Sequence, residues 1–146
     1  MNVIKHGDMM DVFDQVDHFI ICVGSKLRVE TGELIMLNGL AGVLGLKYPT
    51  LKAKMGAWIK ETCGDGGEFY LRCSGKVGIL QHMISPRNGI NLGLISGALL
   101  RLATLAQANP DKVFALEWPG YDQPEWMLNS LIERLPSNIQ VWKPVP

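Results

Sequence analysis

The sequence has no excess of charge of either sign: 14 lysines and arginines balance 14 acidic residues. No run of Lys or Arg occurs, so the broad electrostatic attraction of a nucleic-acid binder is missing. Nor is there an uninterrupted apolar run of the roughly 18 residues that a membrane-spanning helix needs. The best candidate, Leu92–Ala108, carries Arg101 and Gln107 and reads as a core helix. Cysteine is sparse. Cys22, Cys63 and Cys73 are odd in number and lack metal-ligand spacing, which points to free thiols in a reducing cytosol. His6, His18 and His82 are too scattered for a metal site. Lys5 is followed by Asp8, Asp11, Asp14 and Asp17, which is not the pattern of a signal peptide. These absences predict a cytoplasmic protein with no membrane partner, no metal, no cofactor and no direct signal for nucleic acid.

What is present is a chain able to bury a core. Its 146 residues are 47% hydrophobic and 19% charged, which excludes disorder and suits one domain over residues 1–146. No repeat, low-complexity segment or linker divides it. His18–Val23 (HFIICV) is almost continuously apolar and ends at Gly24-Ser25, the pattern of a buried strand. A shorter strand is expected at residues 3–6. Residues 50–62 place Leu51, Met55, Trp58 and Ile59 on one helical face, with Thr50 available as N-cap. Residues 68–73 and 76–83 read as two strands of a hairpin about Ser74-Gly75. Leu92–Ala108 is the clearest helix, with Ile95, Ala98, Leu99, Leu102, Ala103 and Ala106 in one stripe, stopped by Asn109-Pro110. A strand at residues 113–118 precedes Pro119-Gly120. A helix is expected to begin at Pro124, burying Met127, Leu128, Leu131, Ile132 and Leu135. Residues 139–142 close the pattern as a strand. Strands alternating with helices predict an α/β domain with helices on both faces of a mixed sheet.

In such sheets ligands gather beyond the carboxyl ends of the strands. Two loops stand out there, residues 24–38 and residues 119–123. The first leads into a stretch with Gly39, Gly42 and Gly45 at every third position. Glycine costs a helix about 1 kcal/mol relative to alanine, so close approach of a backbone or a ligand is expected to offset it. A Gly-rich turn opening into a helix also presents N–H groups to phosphate.

The order of these segments resembles a known family. Gly7-Asp8-Met9 comes first, then the HFIICV strand and Leu34-Ile35-Met36-Leu37-Asn38-Gly39-Leu40-Ala41. Tyr48-Pro49 and Trp118-Pro119-Gly120 follow, and then Leu135-Pro136-Ser137-Asn138-Ile139-Gln140-Val141-Trp142. Taken in sequence, they are similar to macrodomains, and among these to a macrodomain-like group often found in bacteria and phages. The resemblance implies a three-layer α/β/α domain with a mixed central sheet. It implies ADP-ribose, or an ADP-ribosylated molecule, as partner. It places Asp8, with Met9, at the adenine amino group. It places Met36, Leu37, Gly39, Leu40 and Ala41 about the diphosphate and distal ribose, with Pro119, Gly120 and Tyr121 closing from the other side. Some relatives hydrolyse ADP-ribosyl bonds and others only bind. Asn38 and Asp122 are the pair available here for catalysis, one to place a water and one to act as its base.

The chain departs from that pattern at three points. Leu37 stands where relatives usually have Gly, no Lys lies between Leu34 and Ala41, and the second loop is short with a single Gly120. Binding without efficient hydrolysis is therefore expected. The alternative is a degenerate macrodomain fold that serves as a protein-interaction module. Each site residue also has a plainer role open to it. Asp8 suits a turn after Gly7. Asn38 and Asp122 suit helix caps. Gly42 and Gly45 suit tight helix packing. Trp118 and Tyr121 could stack on a ligand or plug the cleft.

Overall fold

HFIICV leaves no polar face, and the fold gives it none to expose. In the computed structural model, which describes residues 1–145, this segment is the strand β2 (His18–Val23), with parallel neighbours on both sides. The other strands are β1 (Ile4–His6), β3 (Leu71–Arg72), β4 (Val77–Gln81), β5 (Phe114–Glu117) and β6 (Ile139–Lys143). They form one sheet in the order β1-β6-β5-β2-β4-β3, parallel except for the β3–β4 pair.

Alternation along the strands splits the core in two. Phe19, Ile21, Val23, Ile79 and Ala115 face one layer. It is made by a 3-10 helix (Met9–Gln15) and the helices α1 (Gly39–Lys47) and α2 (Leu51–Thr62). Ile20, Cys22, Leu80, Phe114 and Leu116 face the other layer, α3 (Leu92–Ala108) and α4 (Asn129–Glu133). The result is a three-layer α/β/α domain with a mixed central sheet. The helix α3 shows why the pattern was readable. Asn91 caps it by accepting from the Leu94 N–H at 3.0 Å, and Ile95, Ala98, Leu102 and Ala106 are wholly buried. Each large apolar side chain so buried contributes about 1.5–3 kcal/mol.

Four details differ from the sequence expectations. The strand expected at residues 68–73 shrinks to Leu71–Arg72. Gln81 Oε1 takes the N–H groups of Phe69 and Tyr70 at 2.8 and 3.1 Å, and Tyr70 adopts φ +66°, so those residues cannot continue the ladder. The helix expected from Pro124 is a 3-10 turn (Glu125–Met127) followed by the short α4. The turn closes through i→i+3 bonds, Met127 N–H to the Pro124 carbonyl and Leu128 N–H to the Glu125 carbonyl, which leaves Leu128 and Ile132 buried against the sheet. Thr50 precedes α2 but makes no side-chain cap. The glycines of α1 also differ from one another: a Cβ on Gly42 would lie 2.7 Å from the Leu37 carbonyl oxygen, whereas one on Gly45 would meet only ordinary contacts.

Candidate functional site

Because β1, β2, β4, β5 and β6 run parallel, their carboxyl ends share one edge. The segments leaving that edge enclose two adjoining cavities. The first, about 470 Å³, is lined by the ends of β2 and β5, by residues 37–39 and 41, by the segment after β4 including His82 and Arg87, and by Tyr121, Asp122 and Gln123. The second, about 380 Å³, is lined by Gly7, Asp8, Met9, Gly39, Leu40, Val43, Glu117, Trp142, Pro144 and Val145. Gly39 and Glu117 are the residues common to both.

Glu117 ends β5 and sits at the junction. Its Oε1 accepts from the Cys22 N–H at 2.8 Å, and its Oε2 lies 3.4 Å from the Leu40 N–H in the first turn of α1. Burial raises its carboxyl from 4.5 to about 7, against the pull of those two N–H groups. Gly39 makes the approach possible. It has φ +58°, and a Cβ there would stand 3.2 Å from Glu117 Oε2. Beneath the carboxylate, the Cys22 thiol donates to the Glu117 carbonyl at 3.3 Å. Burial, with Glu117 nearby, pushes that thiol well up, so Cys22 is no nucleophile at neutral pH. His82 is buried and its Nδ1 lies 3.0 Å from the Pro119 carbonyl, joining the loop after β4 to the loop after β5. Burial holds its imidazole below the ordinary value, and it is neutral at pH 7.

The residues singled out in the sequence fall in three places. Leu37, Asn38, Gly39, Ala41, Tyr121 and Asp122 line the first cavity. Asp8, Met9, Gly39 and Leu40 line the second. Met36, Pro119 and Gly120 are buried and line neither. Asp8 also caps the 3-10 helix, its Oδ1 accepting from the Met10 N–H at 2.9 Å. Asn38 precedes α1 but its side chain makes no cap bond, and Asp122 accepts only from Gln123 Nε2 at 3.2 Å. The expected cap roles of Asn38 and Asp122 are therefore not found. Both side chains are exposed in the first cavity.

The two aromatics of the second loop separate. Trp118 is 4% exposed, packs its ring over Gly120 and donates from Nε1 to the Tyr121 carbonyl at 3.2 Å. Tyr121, at φ +53°, is 57% exposed. Trp118 fills space beneath the loop, while Tyr121 stands open beside the cleft.

Sequence reasoning missed Glu117 and Arg87. The signal for Glu117 was there: one acid at the carboxyl end of an otherwise apolar strand, next to a loop. Arg87 is, among the described residues, the only Lys or Arg lining either cavity. Among the described residues no cluster of potential metal ligands occurs, and no helix is long and apolar enough to cross a membrane.

Solved structures decide what architecture this is. The macrodomain of Thermus aquaticus DarG superposes with a TM-score of 0.67 at 15% identity, covering 100% of both chains. The chain has the macrodomain fold. The macrodomain of Mycobacterium tuberculosis DarG gives 0.62 at 16% identity, over 100% of this chain and 99% of that one. Thermosipho africanus DarTG, solved in complex with ADP-ribose, gives 0.65 at 16% identity over 93% of this chain and 40% of that one. No family model and no curated protein matches the sequence. At such identities it is the macrodomain architecture alone that is shared.

Proposed function

We propose that the cleft binds ADP-ribose or a closely related nucleotide derivative. The observation that carries this reading is the pair of cavities joined at Gly39 and Glu117, which fits a ligand with two bulky ends and a narrow middle. The adenine occupies the second cavity, where Asp8 accepts from its amino group and Met9, Leu40 and Trp142 supply apolar walls. The diphosphate crosses Gly39 at the start of α1, and the distal ribose lies in the first cavity beside Leu37, Asn38, Ala41, Tyr121 and Asp122. Met36, Pro119 and Gly120 support these walls from within. A neighbour in fold solved with ADP-ribose lends the reading further support.

Turnover is the weaker expectation. Asn38 and Asp122 share the first cavity and could place and deprotonate a water. The exposed Leu37 stands at the mouth, however, and the loop after β5 is packed down on Trp118 rather than free to wrap a phosphate. Removing one preorganised donor from a reacting site costs about a hundredfold or more in rate, so efficient hydrolysis is not expected. The second reading, a degenerate fold used as a protein-interaction module, draws on the exposed Leu37 just before α1 and the exposed Val43 and Leu46 on it.

A thermal-shift titration separates the two. ADP-ribose at about 100 times its Kd adds about 2.7 kcal/mol of stability. For a domain of this size the melting temperature should rise by a few degrees. No shift at millimolar ADP-ribose would leave the interaction-module reading standing.

A further inference from the structure

We propose that Glu117 sets the charge state in which the cleft accepts its ligand, so that a diphosphate crossing the junction binds with uptake of one proton onto Glu117. The proposal rests on the reading that ADP-ribose spans both cavities. Whatever does so must pass Gly39 and Glu117, the residues the cavities share. The first turn of a helix favours an anion, and at α1 that place is held by the protein's own carboxylate, 3.4 Å from the Leu40 N–H. An ionised carboxylate only accepts hydrogen bonds, as does a phosphate oxygen. Side by side they offer each other no donor and repel. A proton on Oε2 reverses this. Oε1 keeps its bond from the Cys22 N–H, the new O–H donates to the phosphate, and the Leu40 N–H is released to donate to it as well.

The surroundings make that proton available near neutrality. Burial has already raised the Glu117 carboxyl to about 7. No Lys, Arg or His forms an ion pair with Glu117 among the described residues. The titratable and charged groups around the junction are Cys22 from β2, His82 and Arg87 from the segment after β4, Tyr121 and Asp122 from the loop after β5, and Asp8 from the loop after β1. Cys22 is already a thiol and has no proton to take up. His82, held neutral by burial before binding, is separated from Glu117 by the variant Glu117→Gln, in which uptake by His82 would persist.

The test is titration calorimetry of the protein with ADP-ribose at pH 6 and pH 8, each in two buffers of different ionisation enthalpy. With the protonated form competent and a carboxyl at about 7, affinity should fall about tenfold from pH 6 to pH 8. At pH 8 the buffers should report nearly one proton taken up, and at pH 6 almost none. Adenosine, which lacks the diphosphate, should bind with no uptake at either pH. Glu117→Gln supplies a permanent donor, so at pH 8 it should bind ADP-ribose about tenfold more tightly than the unmodified protein and show no pH dependence. Equal affinity at both pH values with no proton uptake would overturn the proposal, and so would equal uptake with adenosine. If Glu117→Gln does not fold, His82→Asn decides the matter: uptake that persists in it supports Glu117, and uptake lost with it would overturn the proposal. Absence of ADP-ribose binding by either protein at any pH would overturn the underlying reading, and this inference with it.

Discussion

The two cavities that meet at Glu117 are built from different material. The second is almost wholly apolar, walled by Met9, Leu40, Val43, Trp142, Pro144 and Val145, with Asp8 as its polar group apart from the shared Glu117. It stands on the β1–β6 edge, where Gly7 N–H donates to the Lys143 carbonyl at 3.0 Å and a Cβ on Gly7 would sit 3.3 Å from the Trp142 ring. The first is walled by three loops and brings together His82, Arg87, Asn38, Tyr121, Asp122 and Gln123. An apolar slot with one carboxylate suits a flat base carrying an amino group. A polar cavity with several donors and acceptors suits a sugar. On the proposed reading, one sheet edge reads two ends of a single ligand, with the strand termini fixing one end and the loops the other.

The largest effect expected falls on the wall of the first cavity. Trp118→Ala removes a buried aromatic from the α3–α4 core and the bond that holds the Tyr121 carbonyl. It should cost about 3–5 kcal/mol in urea unfolding. Trp142→Ala, at a partly buried ring of the second cavity, should cost less.

Next comes the junction. Folding raises the Glu117 carboxyl to about 7 from the 4.5 of the exposed group. The folded state therefore binds this proton more tightly than the unfolded state. The associated stability is fully present below pH 4.5 and is lost as pH rises to 7. Unfolding free energies of Glu117→Gln and the unmodified protein should diverge between pH 5 and pH 8 by about 1–3 kcal/mol, with the variant favoured at the higher pH.

The second cavity is sharpened by Asp8→Ala. Loss of a charge-assisted bond to the adenine amino group, about 1.5–3 kcal/mol, should weaken ADP-ribose binding about tenfold or more. Loss of the cap at Met10 should cost stability about 1 kcal/mol. An equal loss of affinity for free ribose 5-phosphate would show that Asp8 does not read the base.

The smallest expected effect is on stability at Asn38 and Asp122. Neither caps a helix, so Asn38→Ala and Asp122→Ala should each move the unfolding free energy by no more than about 0.5 kcal/mol. Incubation with ADP-ribosylated substrate should release little ADP-ribose. Robust release abolished by either change would identify them as a working pair.

Much of the fold was legible because it is written in apolar period. β2 and α3 have the bounds that HFIICV and the Ile95–Leu102 stripe imply. The parts that were not legible depend on side chains from elsewhere in the chain. Nothing in residues 68–73 announces that Gln81 will take the Phe69 and Tyr70 N–H groups. The burial of Leu128 and Ile132 was legible around Pro124, but nothing there announces that the Met127 and Leu128 N–H groups will bond three residues back, to the Pro124 and Glu125 carbonyls, in place of a first α-helical turn. The candidate site follows the same division. Gly39 could be named from its local pattern, and Asp8, Asn38 and Asp122 from the resemblance that the ordered motifs carry. The central role of Glu117 depends on the placement of β2 and α1 on either side of it, and Trp118 reads alike as a stacking platform or a plug until its ring is seen over Gly120.

A crystal structure of the protein soaked with ADP-ribose tests the central claim most directly. The account predicts the adenine amino group within hydrogen-bond reach of Asp8, the diphosphate over Gly39 and against Glu117, and the distal ribose beside Asn38 in the first cavity. An empty cleft at saturating ADP-ribose, or a nucleotide bound away from the Gly39–Glu117 junction, would contradict it.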